Sequence, residues 1–149
     1  MRVAVIMGSA SDQARMAPAT ELLGSFGVDA TEHVISAHRN PETLAAFVRA
    51  ARDEGYGVLI CGAGMAAALP GAVAAHTTLP VIGVPLSGSA LSGVDALYAV
   101  VQMPRGVPVA AVAIDGAANA ALLAIEILAV TDAGLAGRLA TYRQAWGAP

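Results

Sequence analysis

The chain has 149 residues, of which 56% are hydrophobic and 13% charged, whereas roughly 25% of the residues in an average soluble domain are charged. No apolar run reaches the roughly 18 residues of a membrane-spanning helix, and the N-terminal apolar run is too brief for a signal peptide. A net charge of −3 without a basic run excludes a typical nucleic-acid-binding surface. We therefore expect one cytoplasmic domain, residues 1–149, that covers part of its apolar surface with identical partners.

Short apolar runs rich in Val and Ile alternate with longer helical patterns along the chain. The predicted strands are residues 2–8, 28–36, 57–63, 80–85 and 109–114. The predicted helices lie near residues 12–26, 41–54, 64–75, 93–102, 116–130 and 132–145. This alternation predicts an α/β fold, a three-layer α/β/α sandwich around a five-stranded parallel sheet. The last helix and Trp146 behind it could pack on a neighbouring subunit or remain in solvent.

The segments that follow the first four predicted strands are small, polar and rich in glycine. They read GSASD after the first strand, SAHRNP after the second, CGAGMAAALPG after the third and PLSGSALSG after the fourth. Ligands of open α/β sheets bind at the carboxyl ends of the strands, so these four loops are expected to meet at one pocket. The sequence therefore predicts a site for a small molecule.

All eight basic residues are arginine, so the chain has no lysine for a Schiff base, for pyridoxal phosphate or for a P-loop. A bound phosphate would have to be held by arginine, hydroxyl groups, backbone N–H groups or a helix N-terminus. GSASD offers hydroxyl and N–H groups at the start of a helix, although Ser11 or Asp12 could simply cap that helix. Arg39 offers a planar guanidinium, although it could instead pair with Glu42 or Glu32.

Three histidines and one cysteine are candidates for catalysis or metal binding. His38 ends the second strand close to Ser36, and an imidazole with a pKa of about 6.5 can give and take a proton at neutral pH. His33 lies inside a strand and His76 ends a helix, so both are expected to be structural or solvated. The spacing of the histidines does not suggest a metal site, and a lone Cys61 excludes an internal disulfide and a multi-cysteine zinc site.

The third loop brings glycines to a strand-to-helix turn. Its glycines allow either a close backbone approach to a flat ligand or tight packing of strand against helix. The loop lacks the third glycine of the dinucleotide-binding fingerprint at the required spacing, so GxG is weak evidence here. Cys61 just before it is expected to be a small buried side chain and not a nucleophile.

Five segments occur in the order typical of one enzyme family. They are MGSASD, SAHRNP, GAGMAAALPG, ALSGVDALYAVVQMPRGVPVA and GAANAALLA, which extend from the first strand to about residue 130. In these motifs the chain resembles the N5-carboxyaminoimidazole ribonucleotide mutases of de novo purine biosynthesis. The resemblance implies a flavodoxin-like fold, a homo-octamer with sites at subunit contacts, and a small ribonucleotide as substrate. It also implies a reaction without metal, ATP or organic cofactor.

The resemblance assigns roles to residues of this chain. It implies transfer of a carboxylate from the exocyclic nitrogen to ring carbon 4 by decarboxylation and recarboxylation, with His38 as general acid and base. The substrate-binding residues that it implies are Ser9, Ser11, Asp12, Ser36 and Arg39. Of these, Arg39 is the residue implied to hold the phosphate. The residues expected to line the pocket in the third loop are Gly64, Ala66, Ala68 and Leu69.

The third loop departs from the family pattern. AAALPG stands where the family usually has AAHLPG, so Ala68 replaces a histidine expected to face the pocket, and Met65 stands where glycine is common. Three explanations stay open at this point. The histidine is dispensable because backbone N–H groups hold the carboxylate, the protein is a weak or altered mutase, or the alanine is a substitution introduced into this chain.

Three other functions are alternatives. A direct aminoimidazole ribonucleotide carboxylase that uses CO2 is the first, although that branch resembles SAHK and not SAHR. A ribonucleotide-binding protein that has lost turnover is the second. A flavodoxin-like electron carrier is disfavoured, because only 4% of the residues are aromatic and no Trp or Tyr lies in these loops to flank a flavin.

Overall fold

The structure is a computed structural model that describes residues 1–147, so the last two residues of the predicted domain lie outside the described residues. The strands are β1 (Arg2–Met7), β2 (Ala30–Val34), β3 (Tyr56–Gly64), β4 (Val81–Leu86) and β5 (Ala110–Ala111). The helices are α1 (Gln13–Ser25), α2 (Pro41–Ala50), α3 (Ala68–Ala74), α4 (Val94–Val101), α5 (Ala117–Ala129) and α6 (Ala133–Gln144). Every predicted element is present within these residues, and none of the helices is long and apolar enough to span a membrane.

All four strand pairings are parallel, and the strand order is β2-β1-β3-β4-β5. This order and the helices on both faces confirm the predicted flavodoxin-like α/β/α sandwich. The chain winds outward in one direction from β1 to β2 and in the other from β3 to β5, so the topological switch point lies between β1 and β3. In such sheets the ligand crevice opens at the carboxyl ends of the strands at that point.

The sheet has one hydrophobic core on each face. In β1, Val3, Val5 and Met7 point toward α1 and α5, whereas Ala4 and Ile6 point toward α2, α3 and α4. All five side chains are fully buried. Burial of a Val, Ile or Met side chain stabilises a fold by about 1.5–3 kcal/mol. The central strands are therefore firmly held, and so are the starting points of the loops at their carboxyl ends.

Strand β5 is much shorter than the predicted strand 109–114. Ala110 and Ala111 pair with β4, and Val112 N still donates to Gly83 O at 3.3 Å. The next β4 residue that faces β5 is Pro85, which has no N–H to donate, so the ladder loses a hydrogen bond there. The chain then turns, although Asp115 N still donates to Pro85 O at 2.8 Å. All residues from 109 to 114 are apolar, so the sequence pattern did not indicate that the strand ends at Ala111.

The last helix, α6, packs on its own subunit. Leu135 is buried in the core that includes α5, and Arg138 Nε donates to Phe26 O at 3.0 Å. The Tyr142 ring lies 5.3 Å from the Phe26 ring, centroid to centroid. Trp146 remains 76% exposed at the end of the described chain. Its packing on a neighbouring subunit stays a prediction.

Candidate active site

A cavity of about 320 Å³ opens at the carboxyl ends of β1, β3 and β4 and is closed on one side by the loop after β2. Its lining residues are Gly8, Ser9, Ser11, Asp12, Ser36, Ala37, His38, Ala63, Gly64, Met65, Ala67, Ala68, Leu86 and Gly88. A larger cavity of about 450 Å³ lies at the opposite edge of the sheet, where Thr77–Ile82 lead into β4. The smaller cavity carries the acid–base and hydroxyl groups and sits at the switch point, so we treat it as the site.

The first loop is folded around Ser9. The Oγ of Ser9 accepts hydrogen bonds from Ser11 N at 3.3 Å and from Ser11 Oγ at 2.8 Å, and thereby caps the 3-10 turn. Asp12 occupies the N-cap position of α1, but its carboxylate makes no capping hydrogen bond. Burial raises the pKa of the Asp12 carboxyl, against the lowering effects of the Ser9 backbone and of Arg15. Ser9 thus caps the 3-10 turn Ala10–Asp12, whereas neither Ser11 nor Asp12 caps α1 with its side chain, which leaves the Asp12 carboxylate available to a ligand.

The second loop ties Arg39 to the end of β1. Arg39 Nη2 donates to Gly8 O at 3.0 Å, and its backbone N donates to Ser36 Oγ at 3.3 Å. No carboxylate of residues 1–147 lies within 4.0 Å of its guanidinium, and Glu32 instead accepts from Thr20 Oγ1 at 2.7 Å. Arg39 is exposed beside the cavity and is not one of its lining residues. Its remaining N–H groups are thus free to bind an anion.

Only one of the three histidines lies at the cavity. His38 lines it from the turn after β2, and its ring makes no hydrogen bond to another described residue. His33 is half-buried within β2 and does not line the cavity. Its Nε2 lies 2.9 Å from Thr31 Oγ1, and its ring centroid lies 4.3 Å from that of Phe47. His76 is exposed near the end of α3. Among residues 1–147, no group of His, Cys, Asp or Glu is arranged to hold a metal ion.

The third loop, between β3 and α3, has a different conformation from the predicted one. Helix α3 starts at Ala68 and not near residue 64, because Met65 (φ 55°) and Ala67 (φ 41°) adopt left-handed conformations that no helix continues through. Gly64 and Ala68 lie in the lining of the cavity, together with Met65 and Ala67. Ala66 and Leu69 are not among these lining residues: Ala66 is exposed to solvent, and Leu69 is 3% exposed within the core under α3.

Cys61 is fully buried in the core beneath the third loop, as its sequence context suggested. Burial strongly raises the pKa of its thiol, so the nucleophilic thiolate is not available. Sequence reasoning missed a charged group at the β4 side of the cavity. Asp115 lies after β5, accepts from Ser87 N at 3.0 Å, and stands 3.9 Å from Arg15 Nε. The only sequence signal for Asp115 was its position directly after the fifth predicted strand.

His33 should make folding stability depend on pH. Partial burial, and secondarily the charge of Arg2, lowers the pKa of its imidazole, while Glu54 acts in the opposite direction. The unfolded chain then binds a proton more readily, so stability should fall as pH drops from about 6.5 toward the lowered pKa. Urea unfolding between pH 8 and 5 should show this loss in the native chain and a flatter profile in His33→Asn. A profile unchanged by His33→Asn, or flattened equally by the exposed control His76→Asn, would contradict this assignment.

Comparison with known proteins settles the family. The family model described as AIR carboxylase matches residues 2–147. The chain belongs to this family. Among AIR carboxylase relatives, the N5-carboxyaminoimidazole ribonucleotide mutase of Escherichia coli K12 is 53% identical over 146 residues, which are 97% of this chain and 86% of that protein. The mutase of Pyrococcus abyssi is 52% identical over 143 residues, 96% of this chain and 82% of that protein.

Two further AIR carboxylase relatives extend the comparison. The chloroplastic phosphoribosylaminoimidazole carboxylase of Vigna aconitifolia is 49% identical over 139 residues, 93% of this chain but 25% of that protein. The crystal structure of Treponema denticola PurE superposes with a TM-score of 0.87 at 28% identity, and the match covers 97% of this chain and 90% of that one. The fold of this chain therefore matches that of Treponema denticola PurE.

Proposed function

We propose that this chain is an N5-carboxyaminoimidazole ribonucleotide mutase, an isomerase that acts on a small ribonucleotide. The observation that carries the proposal is one cavity, at the switch point of the sheet, that brings together His38, Asp12 and Ser9, with Arg39 beside it. Curated mutases about half identical to this chain over nearly its whole length support the same reaction.

The ribonucleotide is held from the first and second loops. Its phosphate binds the free N–H groups of Arg39, whose position is fixed by the hydrogen bond to Gly8 O. Ser9, Ser11 and Ser36 offer hydroxyl groups in the same cavity. The uncapped carboxylate of Asp12 accepts a hydrogen bond from a ribose hydroxyl. These contacts place the aminoimidazole ring next to His38.

The reaction needs one proton carrier for two steps. In the first, the carbamate C–N bond breaks, CO2 leaves, and the protonated His38 gives its proton to the exocyclic nitrogen. In the second, ring carbon 4 attacks CO2, a C–C bond forms, and the neutral His38 removes the proton from that carbon. The net change moves a carboxylate and returns the imidazole to its starting state. His38 suits this role because no other described residue holds its ring.

Trapped CO2 must not escape between the two steps. Ala63, Ala67, Ala68 and Leu86 give the cavity an apolar wall on the β3 and β4 side. A wall without charged groups excludes water and offers CO2 no competing nucleophile.

Replacement of Ala68 by His tests how the carboxylate is held. We expect both the native chain and Ala68→His to convert N5-carboxyaminoimidazole ribonucleotide to its carbon-carboxylated isomer, at rates within about tenfold, because His38 and the hydroxyl groups are common to both. The matched control is Ala66→His, since Ala66 is exposed and outside the cavity lining. The measurement is the initial rate of isomer formation at saturating substrate.

The other outcomes separate the alternative functions. Turnover by Ala68→His alone would show that the native chain is an impaired family member. Ligand binding without turnover in either protein would indicate a binding protein. Faster product formation from aminoimidazole ribonucleotide and CO2 than from the carbamate would indicate a direct carboxylase.

Identical subunits are the proposed partners. An exposed apolar stripe runs along α4. It consists of Val94, Tyr98 and Val101 on the helix and of Leu91 just before it, and Tyr98 is 63% exposed. Apolar stripes of this kind mark subunit contacts, so we propose that this one is covered in a homo-octamer. Light scattering should give eight times the chain mass of 14.8 kDa, and Tyr98→Glu should give smaller species. A native chain that is monomeric at micromolar concentration would contradict the proposal.

A further inference from the structure

A second arginine stands at the β4 side of the cavity, opposite Arg39. Arg15 lies in the first turn of α1, four residues after Ser11. Its Nη1 is 3.8 Å from the point where a Cβ on Gly88 would stand, and Gly88 lines the cavity. The guanidinium therefore lies against the cavity rim. Its charge also acts on the Asp12 carboxyl inside the cavity, whose pKa it lowers against the larger effect of burial.

Arg15 keeps its hydrogen-bond donors free. Its nearest carboxylate is Asp115, with 3.9 Å between Arg15 Nε and Oδ1, which is too far for a hydrogen bond. The Asp115 carboxylate is instead engaged by Ser87, through the backbone N at 3.0 Å and the hydroxyl at 2.5 Å. Within residues 1–147, the Arg15 guanidinium donates no hydrogen bond. Asp115 thus attracts the guanidinium toward the rim without consuming its donors.

The Asp115 backbone shows that this arrangement is held in place. Asp115 adopts a left-handed conformation with φ 55°, which is unfavourable for a non-glycine residue unless its surroundings hold it. Its N–H donates to Pro85 O at 2.8 Å, which fixes the turn after β5 against the end of β4. Together with the two hydrogen bonds from Ser87, this turn holds the Asp115 carboxylate beside the cavity rim.

The charges of the substrate call for two cationic contacts. A carboxylated ribonucleotide carries a phosphate at one end and a carboxylate at the other. Arg39 is tied to Gly8 at the β1 side, whereas Arg15 lies against Gly88 at the β4 side. The third loop contributes Ala68 and no charge between them. Two guanidinium groups with free N–H donors thus lie beside the cavity, one for each anionic end of the substrate.

We propose that Arg15 binds the migrating carboxylate of the substrate while Arg39 binds the phosphate, and that Asp115 and Ser87 position Arg15 for this contact. This inference rests on the proposed mutase function, since it concerns the orientation of that substrate. The competing interpretation is an exposed ion pair between Arg15 and Asp115, whose side chains are 40% and 39% exposed, and which would contribute little to binding.

Binding of two ligands that differ by one carboxylate tests the inference. Isothermal titration would measure the affinity of the native chain, Arg15→Gln, Arg15→Lys and Arg39→Gln for carboxyaminoimidazole ribonucleotide and for aminoimidazole ribonucleotide. Arg15→Gln should weaken binding of the carboxylated ligand by about tenfold or more, and that of the other ligand by less than about twofold. Arg15→Lys should retain part of the affinity, and Arg39→Gln should weaken both ligands alike.

Each remaining outcome overturns a distinct statement. Equal losses for both ligands in Arg15→Gln, or no loss for either, would overturn the role of Arg15 and leave the proposed function intact. Failure of the native chain to bind either ligand would overturn the proposed function and the inference with it. The control is thermal unfolding of Arg15→Gln. An unfolding temperature equal to that of the native chain would show that a loss of affinity does not come from a loss of fold.

Discussion

Replacement of His38 by Asn is expected to abolish most of the isomerisation. An amide of similar size cannot exchange protons at neutral pH, and a positioned general acid and base accelerates such steps by about 10²–10⁴-fold. The turnover number should fall by that factor, because both the protonation of nitrogen and the deprotonation of carbon pass through the same imidazole. The affinity for the ribonucleotide should change little, since His38 makes no hydrogen bond that shapes the cavity.

The measurement is the single-turnover rate of isomer formation, taken together with the dissociation constant for the product. His76→Asn is the matched control, because His76 is exposed near the end of α3 and outside the cavity. A His38→Asn enzyme within a few-fold of the native rate would assign the proton transfers to another group. Asp12 would then be the next candidate, as burial raises the pKa of its carboxyl.

Replacement of Arg39 by Gln is expected to act mainly on binding. The guanidinium would lose both the phosphate contact and the hydrogen bond to Gly8 O, and one charge-assisted hydrogen bond is worth about 1.5–3 kcal/mol. The KM should therefore rise by roughly ten- to a hundredfold, while kcat falls by less. Arg39→Lys should lie between, since an ammonium keeps the charge but loses the planar fork.

Steady-state kinetics over a range of substrate concentrations would separate the two parameters for Arg39→Gln. Arg49→Gln is a suitable control, because Arg49 is exposed on α2, the helix that follows Arg39, and is not a lining residue of the cavity. A large fall in kcat with an unchanged KM would show that Arg39 acts on the chemical step and not on the phosphate.

The fold was predictable from residues 1–147 because its signals are local. Val- and Ile-rich runs alternate with helical patterns, and parallel strands buried on both faces need no long-range information to be recognised. The end of β5 was not predictable, since it depends on which face of β4 presents Pro85. The start of α3 was missed for a related reason. The left-handed conformations of Met65 and Ala67 belong to residues that seldom adopt them.

The site was predictable where its residues directly follow strands. Ser9, Asp12, Ser36 and His38 all occupy such positions, and the structure brings them to one cavity. Which side chains of the third loop face inward was not predictable, because it depends on the turn geometry that directs Ala66 away. The contact between Arg15 and Asp115 joins residues a hundred positions apart, and no local pattern encodes a pair of that kind.

The cavity is assembled from loops that leave four different strands, between Gly8 and Gly88. No shorter part of the chain contains it, so the site comes into existence only when β1, β3 and β4 are already side by side. Occupation of the site is therefore thermodynamically linked to the unfolding of the whole sheet, and a ligand held by all of these loops protects even the buried amides of the central strands from hydrogen exchange. In this architecture, a ligand that binds the site more tightly therefore also raises the free energy of global unfolding by a larger amount.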